Sequence, residues 1–152
     1  MTTLIRKILA LLAISSAGQA ADLIATGNWT QMVSAAQLVS GPGSNLPVQM
    51  QSMAGVTTLS ISNAPGNWTL RVHRADGPWP SGLALFVKRT SAGSGSGTVS
   101  GGDSFVEMTG SDIELFSGSG PRSNIALQFR LTGLSVGVPP SSYLSSIVFS
   151  VQ

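Results

Sequence analysis

The chain contains no cysteine. Disulfides, thiolate metal sites, thiol nucleophiles and a cysteine-linked lipid anchor are therefore excluded, and packing has to carry the stability. Charge is scarce, with 9% charged residues against 42% hydrophobic ones. His73 is the single histidine, so imidazole chemistry has one residue to draw on. Beyond residue 20 no apolar run approaches the roughly 20 residues that a membrane-crossing helix needs. An amphipathic helical pattern is also missing there, which removes the crossover helices that a parallel α/β fold requires.

The first twenty residues read as a cleaved secretory signal peptide. Arg6 and Lys7 precede the apolar run Ile8 to Ile14, and Gly18 with Ala20 offers a small-residue cleavage site. The expected mature chain starts at Ala21 and forms one domain over residues 21–152. Cleavage would remove Arg6 and Lys7 and no acid, taking the formal charge from +2 to zero. The high precursor pI therefore gives no ground for nucleic-acid or anionic-membrane binding. A near-neutral surface repels itself weakly and favours association.

Strand patterns dominate the remainder. Ile125, Leu127, Phe129 and Leu131 alternate with small or polar residues, as do Trp68, Leu70 and Val72, and Leu83, Leu85 and Val87. Tyr143, Ser145, Ile147, Phe149 and Val151 share one side of a final strand, with Val148 and Leu144 on the other. Shorter candidates are Val56 to Ser62, Phe105 to Thr109, Ile113 to Ser117, Trp29 to Val33 and Gln37 to Val39. Turn formers such as Ala64-Pro65-Gly66-Asn67 and Gly118-Ser119-Gly120-Pro121 separate the runs. Seven to nine strands of this kind predict an all-β fold, an antiparallel β-sandwich. Ser91 to Gly97 reads as a flexible loop between strands.

A short repeat, Gly27-Asn28-Trp29-Thr30 and Gly66-Asn67-Trp68-Thr69, reads as two strand openings, each with a turn Asn and a core Trp. Both copies match the N-x-Thr sequon, which makes Asn28 and Asn67 formal glycosylation candidates.

Few constellations point to chemistry. His73 with Asp76 is the one acid–base pair that the spacing offers, and no Ser occupies a nucleophile elbow, so no catalytic residues are expected. Asp103, Glu107, Asp112 and Glu114 form no Asp-rich loop of the kind that binds calcium, so no metal or cofactor is expected. Trp79, between Pro78 and Pro80, falls outside any strand. It either packs across an open end of the sandwich or presents its ring to a ligand.

The ending Pro139-Pro140-Ser141-Ser142-Tyr143-Leu144-Ser145-Ser146-Ile147-Val148-Phe149-Ser150-Val151, with the Ile125 to Thr132 strand and the export label, resembles bacterial pilus-like and spore-coat-U-like exported β-sandwich proteins. The disulfide common in those proteins is absent here. The resemblance implies an immunoglobulin-like sandwich at the cell surface or in the periplasm, self-associating into a fibre or layer, with an N-terminal segment lent to a neighbour. Residues 21–39 are then the candidate donor, with Leu23, Trp29, Val33 and Leu38 filling pockets and Val148 at the interface. The same segment could instead supply the first strands of its own domain. Two functions are expected from the sequence: an exported structural subunit, or a secreted carbohydrate- or protein-binding module that uses Trp79.

Overall fold

Alternation is converted directly into burial. Trp68, Leu70 and Val72 line the inner face of β4 (Asn67–Ala75), Leu85 and Val87 that of β5 (Ala84–Arg89), and Ile125, Leu127 and Phe129 that of β9 (Arg122–Thr132). A computed structural model describes residues 21–75, 79–138 and 143–152. The expected signal peptide lies outside the described residues. The other strands are β1 (Asp22–Gly27), β2 (Gln49–Gln51), β3 (Thr57–Ser62), β6 (Thr98–Ser100), β7 (Val106–Met108), β8 (Ile113–Ser119) and β10 (Ser146–Val151).

Two antiparallel sheets enclose one core, which agrees with the all-β, sandwich-like expectation. The larger sheet runs β1-β3-β9-β5-β7, with β2 also on β9, and the smaller runs β10-β4-β8-β6. Their inner faces meet through Leu59, Ile61, Trp68, Leu70, Phe116, Ile125 and Leu127. Fully burying each of these large side chains is worth about 1.5–3 kcal/mol.

Ten strands are described where seven to nine were expected, because β2, β6 and β7 are three-residue pieces. Trp29 to Val33 and Gln37 to Val39 are not strands. Ser34 caps a 3-10 turn at Ala35–Gln37 through a reciprocal capping box, and that local bonding replaces a ladder. The repeat also divides: Asn67 opens β4, whereas Gly27 closes β1. The last strand begins at Ser146 and completes its own sheet against β4.

The Ser91 to Gly97 segment is not loose filler. The Arg122 guanidinium donates to the carbonyls of Ala92 (2.7 and 3.1 Å), Gly93 (2.9 Å), Gly95 (2.9 Å) and Gly97 (2.8 Å). Ser94 and Ser123 add a two-way backbone bridge. Glycine is what permits this approach, since a Cβ at residue 93, 95 or 97 would run into the backbone of Ser123, Pro121 or Ser119.

Gly118 has a different role. The buried Trp68 sits against it, with its indole N–H donating to the Gly120 carbonyl (2.8 Å) and its ring edge-on to Phe116. A Cβ at residue 118 would overlap both the Trp68 ring and the Thr98 carbonyl oxygen. Gly118→Ala is therefore expected to cost about 2–3 kcal/mol through overpacking. Urea unfolding followed by Trp fluorescence would measure it, and an unchanged midpoint would contradict the packing described here.

Candidate functional site

The larger sheet ends in a strand that is paired on one edge and buries little of its own side-chain surface. β1 pairs with β3 from Asp22↔Ser62 to Gly27↔Thr57, and no strand covers its other edge among the described residues. Of its five side chains only Leu23 is half-buried, and Ile24 is 61% exposed. Half-burial of one leucine contributes about 1–2 kcal/mol, against the three fully buried side chains of β9. Backbone pairing supplies most of the remaining attachment, at about 0.5–1.5 kcal/mol net per hydrogen bond. Asn63 ties down the start of the strand by donating to the Asp22 carboxylate (2.5 Å).

Just after β1, Trp29 stacks nearly parallel on Phe129, with ring centroids 6.4 Å apart. Residues 28–48 then reach β2 with no strand and one 3-10 turn. Connections of this length without regular structure are uncommon in compact domains. Met32, Val33, Val39 and Val48 along this stretch are exposed.

The candidate donor residues are thus divided. Residues 22–27 are not a free extension, because they form a strand of their own sheet. Leu23 and Trp29 seat on the chain's own core, and Leu38 is half-buried beside the 3-10 turn. Val33 is exposed in the connector, and Val148 is exposed on β10 opposite His73.

Trp79 is partly buried against the core. Its indole N–H donates to the Leu83 carbonyl (2.7 Å), and the Arg74 guanidinium lies 4.4 Å over its ring. One ring face is therefore covered by a cation. The residue lines an open depression of about 630 Å³ with Pro80, Gly133, Val138 and Tyr143.

His73 does not wait on Asp76, which lies outside the described residues. Its Nδ1 is 2.6 Å from the Asp112 carboxylate, across the β4–β8 pairing. That distance requires the Nδ1–H to donate, which leaves Nε2 as the nitrogen without a proton in the neutral ring. Ser150, diagonal to His73 on β10, has a buried Oγ with no hydrogen-bond partner among the described residues. No group of three or more His, Asp or Glu side chains among the described residues is arranged to hold a metal ion. No helix among them is long and apolar enough to cross a membrane. Asn28 and Asn67 are both exposed.

Compared with known proteins, the chain matches no family model, no curated sequence and no solved structure.

Proposed function

We propose that this chain is an exported structural subunit, an immunoglobulin-like sandwich that assembles into fibres or a surface layer by exchanging β1 between neighbours. The observation that carries this reading is the edge strand β1, whose attachment is mainly its ladder to β3, followed by a long connector with no strand in it. In an exchanged assembly, Leu23 and Trp29 of one copy seat on the β3 edge and Phe129 of the next. The packing that β1 gives up within its own chain is regained between chains, so the balance turns on concentration and on the connector. Extended, residues 28–48 span on the order of 60–70 Å, enough to reach an adjacent domain. A head-to-tail exchange that does not close on itself generates filaments. The near-neutral charge expected after cleavage and the export label support the same reading.

Sedimentation of the chain at rising concentration, with negative-stain imaging of the heaviest fractions, tests the proposal. The expected result is a concentration-dependent series of species ending in filaments. A single monomeric species at every concentration would overturn it.

A second reading, ligand binding at Trp79, draws on the depression between Trp79 and Tyr143. It would show as a glycan-dependent shift in Trp fluorescence that Trp79→Ala abolishes.

A further inference from the structure

The outer face of the larger sheet carries a cluster that the strand-exchange reading does not use. On β5, Phe86 and Lys88 point outward, alternating with the buried Leu85 and Val87. On β9, Arg130 and Gln128 do the same, with Phe86 opposite Arg130 and Lys88 opposite Gln128. Phe105 comes from the segment leading into β7. Arg130 lies 4.2 Å from the Phe105 ring centre and 4.7 Å from that of Phe86, and the Lys88 ammonium lies 4.8 Å from Phe105.

The shared Phe105 ring holds the two cations within roughly 9 Å of each other. The rings fix the guanidinium plane: Nε is covered and without a partner, while the terminal nitrogens make no hydrogen bond among the described residues and are not buried. Neither cation has a carboxylate within salt-bridge distance among the described residues, since Phe86 stands between Arg130 and Glu107 in the register. Two cations this close repel each other, Glu107 beside Phe86 on the same face offsets one charge of the two, and a bound oxyanion would relieve the rest.

We infer that this face binds an acidic polysaccharide, with Arg130 and Lys88 clamping its carboxylate or sulfate groups. The face is an open sheet surface, and it fits a linear polymer better than an enclosed small molecule. The Gln51 amide beside Arg130, and the carbonyl oxygen of Gln128, whose amide N–H is donated to the Ser52 carbonyl, suit the hydroxyl groups of sugars. Nucleic acid fits less well, because two cations neutralise too few phosphates and the other basic residues are balanced by acids elsewhere. This inference stands apart from strand exchange and survives if the chain is monomeric.

The test is binding of the full chain at low salt to polygalacturonate, dextran sulfate, neutral dextran, inorganic phosphate and duplex DNA. The expected result is binding to one or both acidic polysaccharides, weakened at least tenfold by Lys88→Gln and by Arg130→Gln and falling with added salt. Lys88→Gln removes an outward-facing ammonium and leaves the core intact, so it keeps the test valid if Arg130→Gln fails to fold. Unchanged affinity in Lys88→Gln would overturn the inference. So would equal binding to neutral dextran, tighter binding to DNA, or binding of inorganic phosphate alone.

Discussion

Replacing Arg122 with methionine is expected to destabilise the domain by about 3 kcal/mol and lower its melting temperature by roughly 10 °C. The guanidinium makes five hydrogen bonds to four carbonyls of residues 92–97. Methionine keeps much of the stem and removes every donor, leaving four carbonyls to find water or stay unpaired. The loop then keeps only the Ser94–Ser123 backbone bridge to β9, and the glycines that allow it to sit so close give it maximal freedom to leave. Arg122→Lys separates charge from geometry, because a lysine is a point donor that cannot serve four carbonyls with a planar fork. It should recover only a minor part of the loss. Hydrogen exchange would show the protection of the Ser94 and Gly97 amides collapsing in both variants. A methionine variant within about 0.5 kcal/mol of the parent, the scale of ordinary surface changes, would refute the stabilising role of these Arg122 hydrogen bonds.

A chain truncated to begin at Thr30 is expected to lose assembly altogether. It lacks β1 and Trp29, so the inner edge of β3 and the Phe129 ring have nothing to cover them. Removing the packing of Leu23 and Trp29, with the β1–β3 ladder, should cost about 3–5 kcal/mol, a large part of the stability of a domain this size. A synthetic peptide of residues 21–29 should restore the melting temperature in a concentration-dependent way, since it binds only the folded state. The restored material should remain monomeric, because a free peptide caps the groove without linking two domains. Filaments formed by the truncated chain would exclude β1 as the linking strand.

Much of the architecture could be read from the sequence because three strands bury one face each and leave the other wet. Trp68-Leu70-Val72, Leu85-Val87 and Ile125-Leu127-Phe129 are buried where alternation placed them. That residues 21–39 hold a strand of their own domain is one of two readings of the sequence, but the bounds of β1 are not legible there, because Asp22-Leu23-Ile24-Ala25-Thr26-Gly27 seats one side chain and an edge strand held mainly by its backbone carries no alternation signal. The same holds for β2 and β6, built from Gln-Met-Gln and Thr-Val-Ser.

Side-chain partners were harder to read than strands. The partner of His73 is 39 residues away, brought close by a β4–β8 register that shifts between Leu70 and Arg71. The Ser91 to Gly97 segment has the composition of a linker, and only the position of Arg122 across the pairing shows that its carbonyls are occupied. The Phe86, Phe105, Lys88 and Arg130 cluster draws on three segments, and a zero net charge expected for the mature chain gives no sign of it.

Strand exchange is tested most directly by a disulfide placed across the strand pair that it would break. Thr26 and Thr58 are register partners on β1 and β3, with both side chains on the outer face. Directly opposed residues in an antiparallel pair have Cα atoms about 4.5–5.5 Å apart, which suits a disulfide. The chain has no cysteine of its own, so Thr26→Cys with Thr58→Cys can bridge only at that position. Oxidised at assembling concentration and run without reductant, this variant is predicted to give a ladder of covalently linked multimers that reductant collapses to monomer. A bridge that forms only within single chains, at every concentration, would contradict strand exchange.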